Sequence, residues 1–221
     1  MLLSHQKKFI YFKTKKTAST SVELFFERFC SPQTTKTTES TEELISEYGI
    51  VGSRMSKQKP TDSYYNHMPA KNIYNLVGPE IFNNYHKFAV VRNPYSKVLS
   101  MFWWYFYSAN QLDILNELSF KDIKKKFRYF VLNEIDIPLD KEIYTIDGKI
   151  VADRILRYEN LLQDLKDCCN FLEISFEEHQ LKRFKSVSLR TEAYQDYYDE
   201  ETIECVRKHF NWELKTFSYI F

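Results

Sequence analysis

Apolar and polar positions along this chain change period several times, and each change marks an element. Lys8–Phe12 is an aromatic-rich run bounded by lysines, which predicts a short buried strand. Val22, Phe25, Phe26 and Phe29 then recur at i, i+3, i+4 and i+7, one face of a helix. Thr20 with Glu23 matches a capping box and places the start of that helix near Thr20, give or take a turn. Residues 31–63 lose the pattern: they open on a polar, low-complexity stretch, punctuated afterwards by Gly49, Gly52 and Pro60, and read as a flexible excursion or lid. Pro69–Leu76 and Pro79–Tyr85 suggest two short helices, each with proline near its first position. Lys87–Val91 is a second buried strand, after which Asn93 is a good N-cap and Pro94 a good first helical residue. Residues 119–132 form a basic helix candidate. Asp147-Gly148 between Glu142–Ile146 and Lys149–Ala152 signals a hairpin, and Arg154–Tyr158 another strand. Leu161, Leu165, Cys168 and Leu172 mark a further helix, and Asp199–Phe210 the last, with acids in its first turn and bases in its last.

Strands alternating with helices over 221 residues favour one α/β domain, its sheet mainly parallel and covered on both faces. The net charge of +1 does not single out nucleic acid or membrane. The charge is uneven, however: residues 1–30 carry six Lys/Arg against two Glu, which allows a local basic site. The four cysteines, Cys30, Cys168, Cys169 and Cys205, form no C-x-x-C pair, which suggests a reducing compartment and no zinc site. No apolar stretch is long enough for a signal peptide or a membrane span, so a soluble, cytoplasmic protein is expected.

In an open α/β sheet, ligands bind beyond the C-terminal ends of the strands. Two strand ends here carry unusual residues. Lys13–Ser21 combines lysines and hydroxyls at a helix N-terminus, which suits an anion, although a solvated loop with ordinary caps explains the same composition. The Walker A pattern is absent, and the chain has only four glycines, Gly49, Gly52, Gly78 and Gly148. At the second strand end, the spacing from Arg92 to Ser100 lets a guanidinium and a helix hydroxyl reach one common point. Together the two ends describe a ligand with at least two separate anionic groups.

At these residues the sequence resembles the sulfotransferase superfamily, in its carbohydrate branch of uronyl 2-O-sulfotransferases and related bacterial enzymes. KTASTS at Lys16–Ser21 resembles the loop for the 5′-phosphosulfate of 3′-phosphoadenosine 5′-phosphosulfate (PAPS), and FAVVRNPYSKVLSMF at Phe88–Phe102 the 3′-phosphate motif. Ile155–Leu165 and Tyr197–Phe221 resemble later landmarks, so the matches run in order along the whole chain. Lys15 departs from a usual proline, and Ser96-Lys97 from a common Asp-Arg. The resemblance implies a three-layer sandwich related to P-loop kinases. It implies that Lys16 stabilises charge on the leaving phosphate oxygen. Thr17, Ala18, Ser19, Thr20 and Ser21 would hold the 5′ end, and Arg92 and Ser100 the 3′-phosphate. Ser188 and Arg190 fall in a region that often closes over the nucleotide, with an exposed loop as the equal alternative.

An acceptor hydroxyl needs a general base, usually histidine. His5 and His86 precede strands, roughly 15 Å from the ligand edge for a five-residue strand; His209 closes a helix and His179 sits in a polar stretch. His67 remains, and it also falls where the family places its base; Asp62 and Glu159 are the fallbacks. Arg54 and Lys57 are possible contacts for an anionic acceptor. Lys121–Arg128 is a solvated face or a track for a polyanionic glycan, and Phe102–Tyr107 is core or a stacking surface. Arg157 is read as a structural partner of Glu159. The reaction expected is sulfuryl transfer from PAPS to a hydroxyl, first of all on a sugar, without a metal. The rivals are a nucleotide or small-molecule kinase and a non-catalytic nucleotide- or polyanion-binding protein.

Overall fold

The computed structural model describes residues 1–32, 38–133, 139–181 and 192–221, and it is an α/β structure. Its described residues group into two compact units, one from Met1–Val91 and Asp140–Phe184, the other from Arg92–Leu139 and Lys185–Phe221.

The first unit is built on a six-stranded mixed sheet. Its strands are β1 (Leu2–Ser4), β2 (Phe9–Phe12), β3 (Leu44–Ser46), β4 (Gly49–Val51), β5 (His86–Val91) and β8 (Arg154–Arg157), in the order β3-β4-β1-β2-β5-β8. A second hairpin pairs β6 (Thr145–Ile146) with β7 (Lys149–Ile150). The expected β2, β5 and β8 are parallel neighbours, with Phe12 opposite Ala89 and Val91 opposite Arg157. The remaining three pairings are antiparallel, so the sheet is mixed rather than mainly parallel. The reason lies in two hairpins that the pattern did not resolve. The apolar Leu2-Leu3 folds back on β2, and Leu44–Val51, inside the stretch read as an excursion, supplies the edge. Within the same stretch, residues 33–37 lie outside the described residues.

Side-chain alternation sorts the sheet into two faces. Phe9, Tyr11, Phe88, Val90 and Leu156 share one core with Val22, Phe25 and Phe26 of α1 (Ser19–Glu27) and with Leu165, Cys168 and Cys169 of α7 (Leu161–Phe171). Phe26 and Phe88 rings meet at 5.0 Å, and Tyr11 stacks on Phe88 at 5.1 Å. On the other face Phe12 meets Phe82 of α2 (Ala70–Asn84) at 6.2 Å. Gly78 (φ 80°) followed by Pro79 breaks α2 into the two expected short helices. Glu142–Tyr144, expected as strand, lies instead in a helical turn, α6 (Lys141–Tyr144). The hairpin that follows turns on Asp147 and Gly148, both at positive φ.

The second unit is helical: α3 (Pro94–Ser108), α4 (Leu112–Asn116), α5 (Phe120–Asn133), α8 (Glu200–His209) and α9 (Asn211–Thr216). Phe102, Trp103, Phe127, Val131, Tyr197, Val206 and Phe210 share its core. The expected Asn93 cap forms, accepting from the Tyr95 amide at 3.0 Å, and Asp199, read as the first residue of the last helix, caps it instead by accepting from the Thr202 amide at 2.9 Å.

Gly49 (φ 152°) pairs with Ser4, and a Cβ there would stand 2.0 Å from the Leu3 carbonyl oxygen. Gly49→Ala is expected to destabilise the protein by about 1–3 kcal/mol, read as a lowered midpoint in urea at unchanged slope.

Candidate functional site

The chain leaves β2 at Phe12 and turns through Lys13–Ala18 into α1 without a glycine. Lys16 (φ 60°) and Ala18 (φ 57°) nonetheless adopt the left-handed conformation. That conformation costs about 1–2 kcal/mol per non-glycine residue, so the surroundings must impose it. Several contacts do so. The Lys15 amide donates to the Asp140 carboxylate at 3.0 Å, and the Thr14 hydroxyl donates to the Val90 carbonyl of β5 at 2.5 Å. Because that donation uses the Thr14 proton, the 2.8 Å contact between the two hydroxyls is a donation from Thr17 to Thr14.

The first ladder bond of α1 runs from Val22 to Ala18 at 3.2 Å, so the Ser19 and Thr20 amides precede the ladder at the positive end of the helix. The expected capping box does not form: Ala18 is the N-cap, and the Glu23 carboxylate is drawn into the interior instead. Thr17, Ser19 and Ser21 are buried, while Lys16 and Thr20 are half-buried.

Lys13 is drawn into the core rather than left facing solvent. Its side chain is 2% exposed, and its ammonium lies 2.5 Å from Glu23. Glu23 is also 3.6 Å from Arg54, and Arg54 is 2.6 Å from Glu27. Burial pushes the Glu23 carboxyl upward, but Lys13, the Met1 amine and Arg54 outweigh it, and the group remains below its usual range.

His67 stands on this loop. Its Nδ1 is 3.0 Å from the Lys13 carbonyl oxygen, across 54 residues of sequence. A carbonyl only accepts, so Nδ1 carries the proton and the neutral ring presents Nε2 as the acceptor. Burial first, and the Lys13 charge second, lower its pKa from 6.5 to about 3. The imidazole is therefore neutral at physiological pH, and it too has positive φ (58°).

In the second unit, Arg92 opens the chain just after β5. Its Nε and Nη2 donate to the Ser96 hydroxyl at 3.0 and 2.8 Å. Ser96 and Ser100 are one turn apart on α3 and share a face. The guanidinium is thereby held at the first turn of the helix by a serine that sequence reasoning counted only as a departure.

No family model matches the chain, and no solved structure matches it. Among curated proteins, an uncharacterized protein of Archaeoglobus fulgidus is 35% identical over 101 residues, which span 44% of this chain and 76% of the archaeal protein. The chain belongs to the same family as this archaeal protein.

Other candidates of this family member separate clearly. Ser188 and Arg190 lie outside the described residues. Arg54, expected to meet an acceptor, is fully buried: it bonds Glu27 and the Thr38 and Glu39 carbonyls, while Lys57 is exposed. Asp62, a fallback base, has its pKa held below the usual value by hydrogen bonds from the Ser53 hydroxyl and the Lys59 amide. Arg157 and Glu159 flank the end of β8, where the Arg157 amide donates to Asp164 at 2.6 Å. His5 bonds the Tyr85 hydroxyl at 2.8 Å, His86 pairs in register with Phe9 at the N-terminal edge of the sheet, and His179 is exposed beside Glu177. In Phe102–Tyr107, Phe102 and Trp103 are core, whereas Tyr105 and Tyr107 are exposed. Lys121, Lys125 and Lys126 are exposed on α5, and Arg128 pairs with Asp199 and Glu201. All four cysteines are free. Among the described residues, no group of three His, Cys, Asp or Glu could hold a metal ion, and no helix is long and apolar enough to cross a membrane.

Proposed function

We propose that the protein is a sulfotransferase that moves the sulfuryl group of PAPS to an acceptor hydroxyl, first of all on a carbohydrate, on a three-layer, P-loop-kinase-like fold. One observation carries the reading: His67, chosen from five histidines, is held by its Nδ1 on the Lys13 carbonyl, three residues before Lys16. A base and a cation are thus tied to one loop at the C-terminal end of a strand, where α/β sheets bind ligands.

In the reaction, the acceptor oxygen forms a bond to sulfur as the bond from sulfur to the 5′-phosphate oxygen breaks. His67 Nε2 takes the acceptor proton, and Lys16 offsets the charge that grows on the departing phosphate. Backbone amides and hydroxyls of Thr17–Ser21 hold the 5′ end; Arg92 and Ser100 take the 3′-phosphate, with Ser188 and Arg190 as further contacts. An anionic donor also raises the affinity of His67 for a proton, which brings a weak base nearer its working range.

Thermal unfolding with nucleotides tests the reading. At a hundred times its dissociation constant, 3′,5′-ADP is expected to stabilise the protein by about 2.7 kcal/mol. A shift with ATP-Mg²⁺ and none with 3′,5′-ADP would support the kinase reading instead. Stabilisation by 3′,5′-ADP without turnover on any hydroxyl acceptor would support the non-catalytic binder.

A further inference from the structure

Four charged side chains and the Met1 amine, whose pKa burial lowers to about 6, meet in the interior of the first unit. Taking ions out of water is unfavourable unless each finds partners, and such networks persist where they specify one geometry. Here each of the four side chains has an ionic partner, while Glu23 Oε1 and Arg54 Nη1 are buried without a hydrogen-bond partner among the described residues. Lys13 meets Glu23 at 2.5 Å, Glu23 meets Arg54 at 3.6 Å, and Arg54 meets Glu27 at 2.6 Å; the Met1 amine is 3.7 Å from Glu23.

The network touches His67 from two sides. Lys13, anchored by its ammonium, presents the carbonyl that receives His67 Nδ1 at 3.0 Å. Arg54, anchored by Glu27, bonds the Thr38 and Glu39 carbonyls, and its own amide donates to Thr41 at 3.0 Å. Its neighbour Ser53 donates to the Tyr64 carbonyl at 2.9 Å and bridges to Tyr65, two residues before His67. The ring and the segment that carries it are therefore both fixed to one buried cluster.

We propose that the Lys13–Glu23–Arg54–Glu27 network is the positioning device for His67, holding the ring in the Nδ1–H tautomer so that Nε2 is the atom offered to substrate. Lys13 and Glu23 act through His67 and are positioning residues. The inference rests on the general-base role proposed above for His67. The cationic groups that face the ring are Lys13 at the end of β2, Lys15 in the following loop and the Met1 amine beside β1. Their combined field disfavours the protonated ring, in keeping with a neutral acceptor.

The test is the tautomer of His67 by nitrogen-15 NMR, which needs neither donor nor acceptor. The wild type is expected to show the Nδ1–H form alone. Glu23→Gln and Lys13→Met are expected to give a mixture of tautomers, with kcat reduced by about 100-fold and KM for the donor unchanged. Lys13→Arg keeps the ion pair and is expected to restore the single tautomer and most of the rate. Should Glu23→Gln fail to fold, Lys13→Met, which leaves Glu23 facing Arg54, decides by the same readout. A folded Lys13→Met protein with the wild-type tautomer and wild-type kcat would overturn the proposal. A tautomer change in a protein that transfers no sulfuryl group would uphold the positioning while ending the sulfotransferase reading.

Discussion

Lys16→Ala is expected to lower kcat by about 10²–10³-fold, the usual loss when one group facing developing charge is removed. The direction follows from the loop. Lys16 is half-buried at the turn between β2 and α1, and its left-handed backbone (φ 60°) is held by contacts of its neighbours Lys15 and Thr17. Alanine meets the same backbone penalty as lysine there, so the loop path is expected to survive and the loss to report charge rather than misfolding. Lys16→Arg keeps the charge but spreads it over a planar fork, and only partial recovery is expected. Initial-rate kinetics with PAPS check both, and a Lys16→Ala protein with wild-type kcat would remove Lys16 from the mechanism.

His67→Asn is expected to lower kcat by about 10²–10⁴-fold. Asparagine is chosen because the position has φ 58°, which asparagine tolerates better than most residues. The substitution also has a signature in stability. The folded pKa of His67 is about 3 against 6.5 for a free imidazole, so between these values the unfolded chain binds the extra proton. The wild type therefore loses stability as pH falls below 6.5, and the loss ends near pH 3; above 6.5 the group makes no difference. His67→Asn removes this component, and its stability is expected to fall less steeply across the same window. Urea titrations at several pH values check the slope, and parallel pH profiles for the two proteins would contradict the buried neutral ring.

Much of the fold was legible because its signals are local. Phe9–Phe12 and Phe88–Val91 are continuous apolar runs, and Asn93-Pro94 is a cap with a mechanism. What was illegible depends on distant partners. Leu2–Ser4 is too short for a period to show, and it becomes a strand only by pairing with both Phe9–Tyr11 and Gly49–Val51. Glu23 follows Thr20 by three residues, as a capping box requires, yet Lys13 and Arg54 outcompete the backbone for its carboxylate. Arg54 sits in a polar stretch and reads as a surface cation, although Glu27 lies on its helix 27 residues earlier. His67 is singled out by eliminating the other histidines together with the family resemblance, and Ser96 escapes notice because its partner Arg92 is assigned to ligand alone.

Isothermal titration with 3′,5′-ADP and 5′-AMP tests most directly whether this chain grips an adenosine compound by both of its phosphates. The expected result is that 3′,5′-ADP binds at least about tenfold more tightly than 5′-AMP, a difference of about 1.4 kcal/mol. Arg92→Ala should abolish that difference, and Lys16→Ala should weaken both ligands. Equal affinity for the two nucleotides in the wild type, or binding of ATP-Mg²⁺ alone, would contradict it.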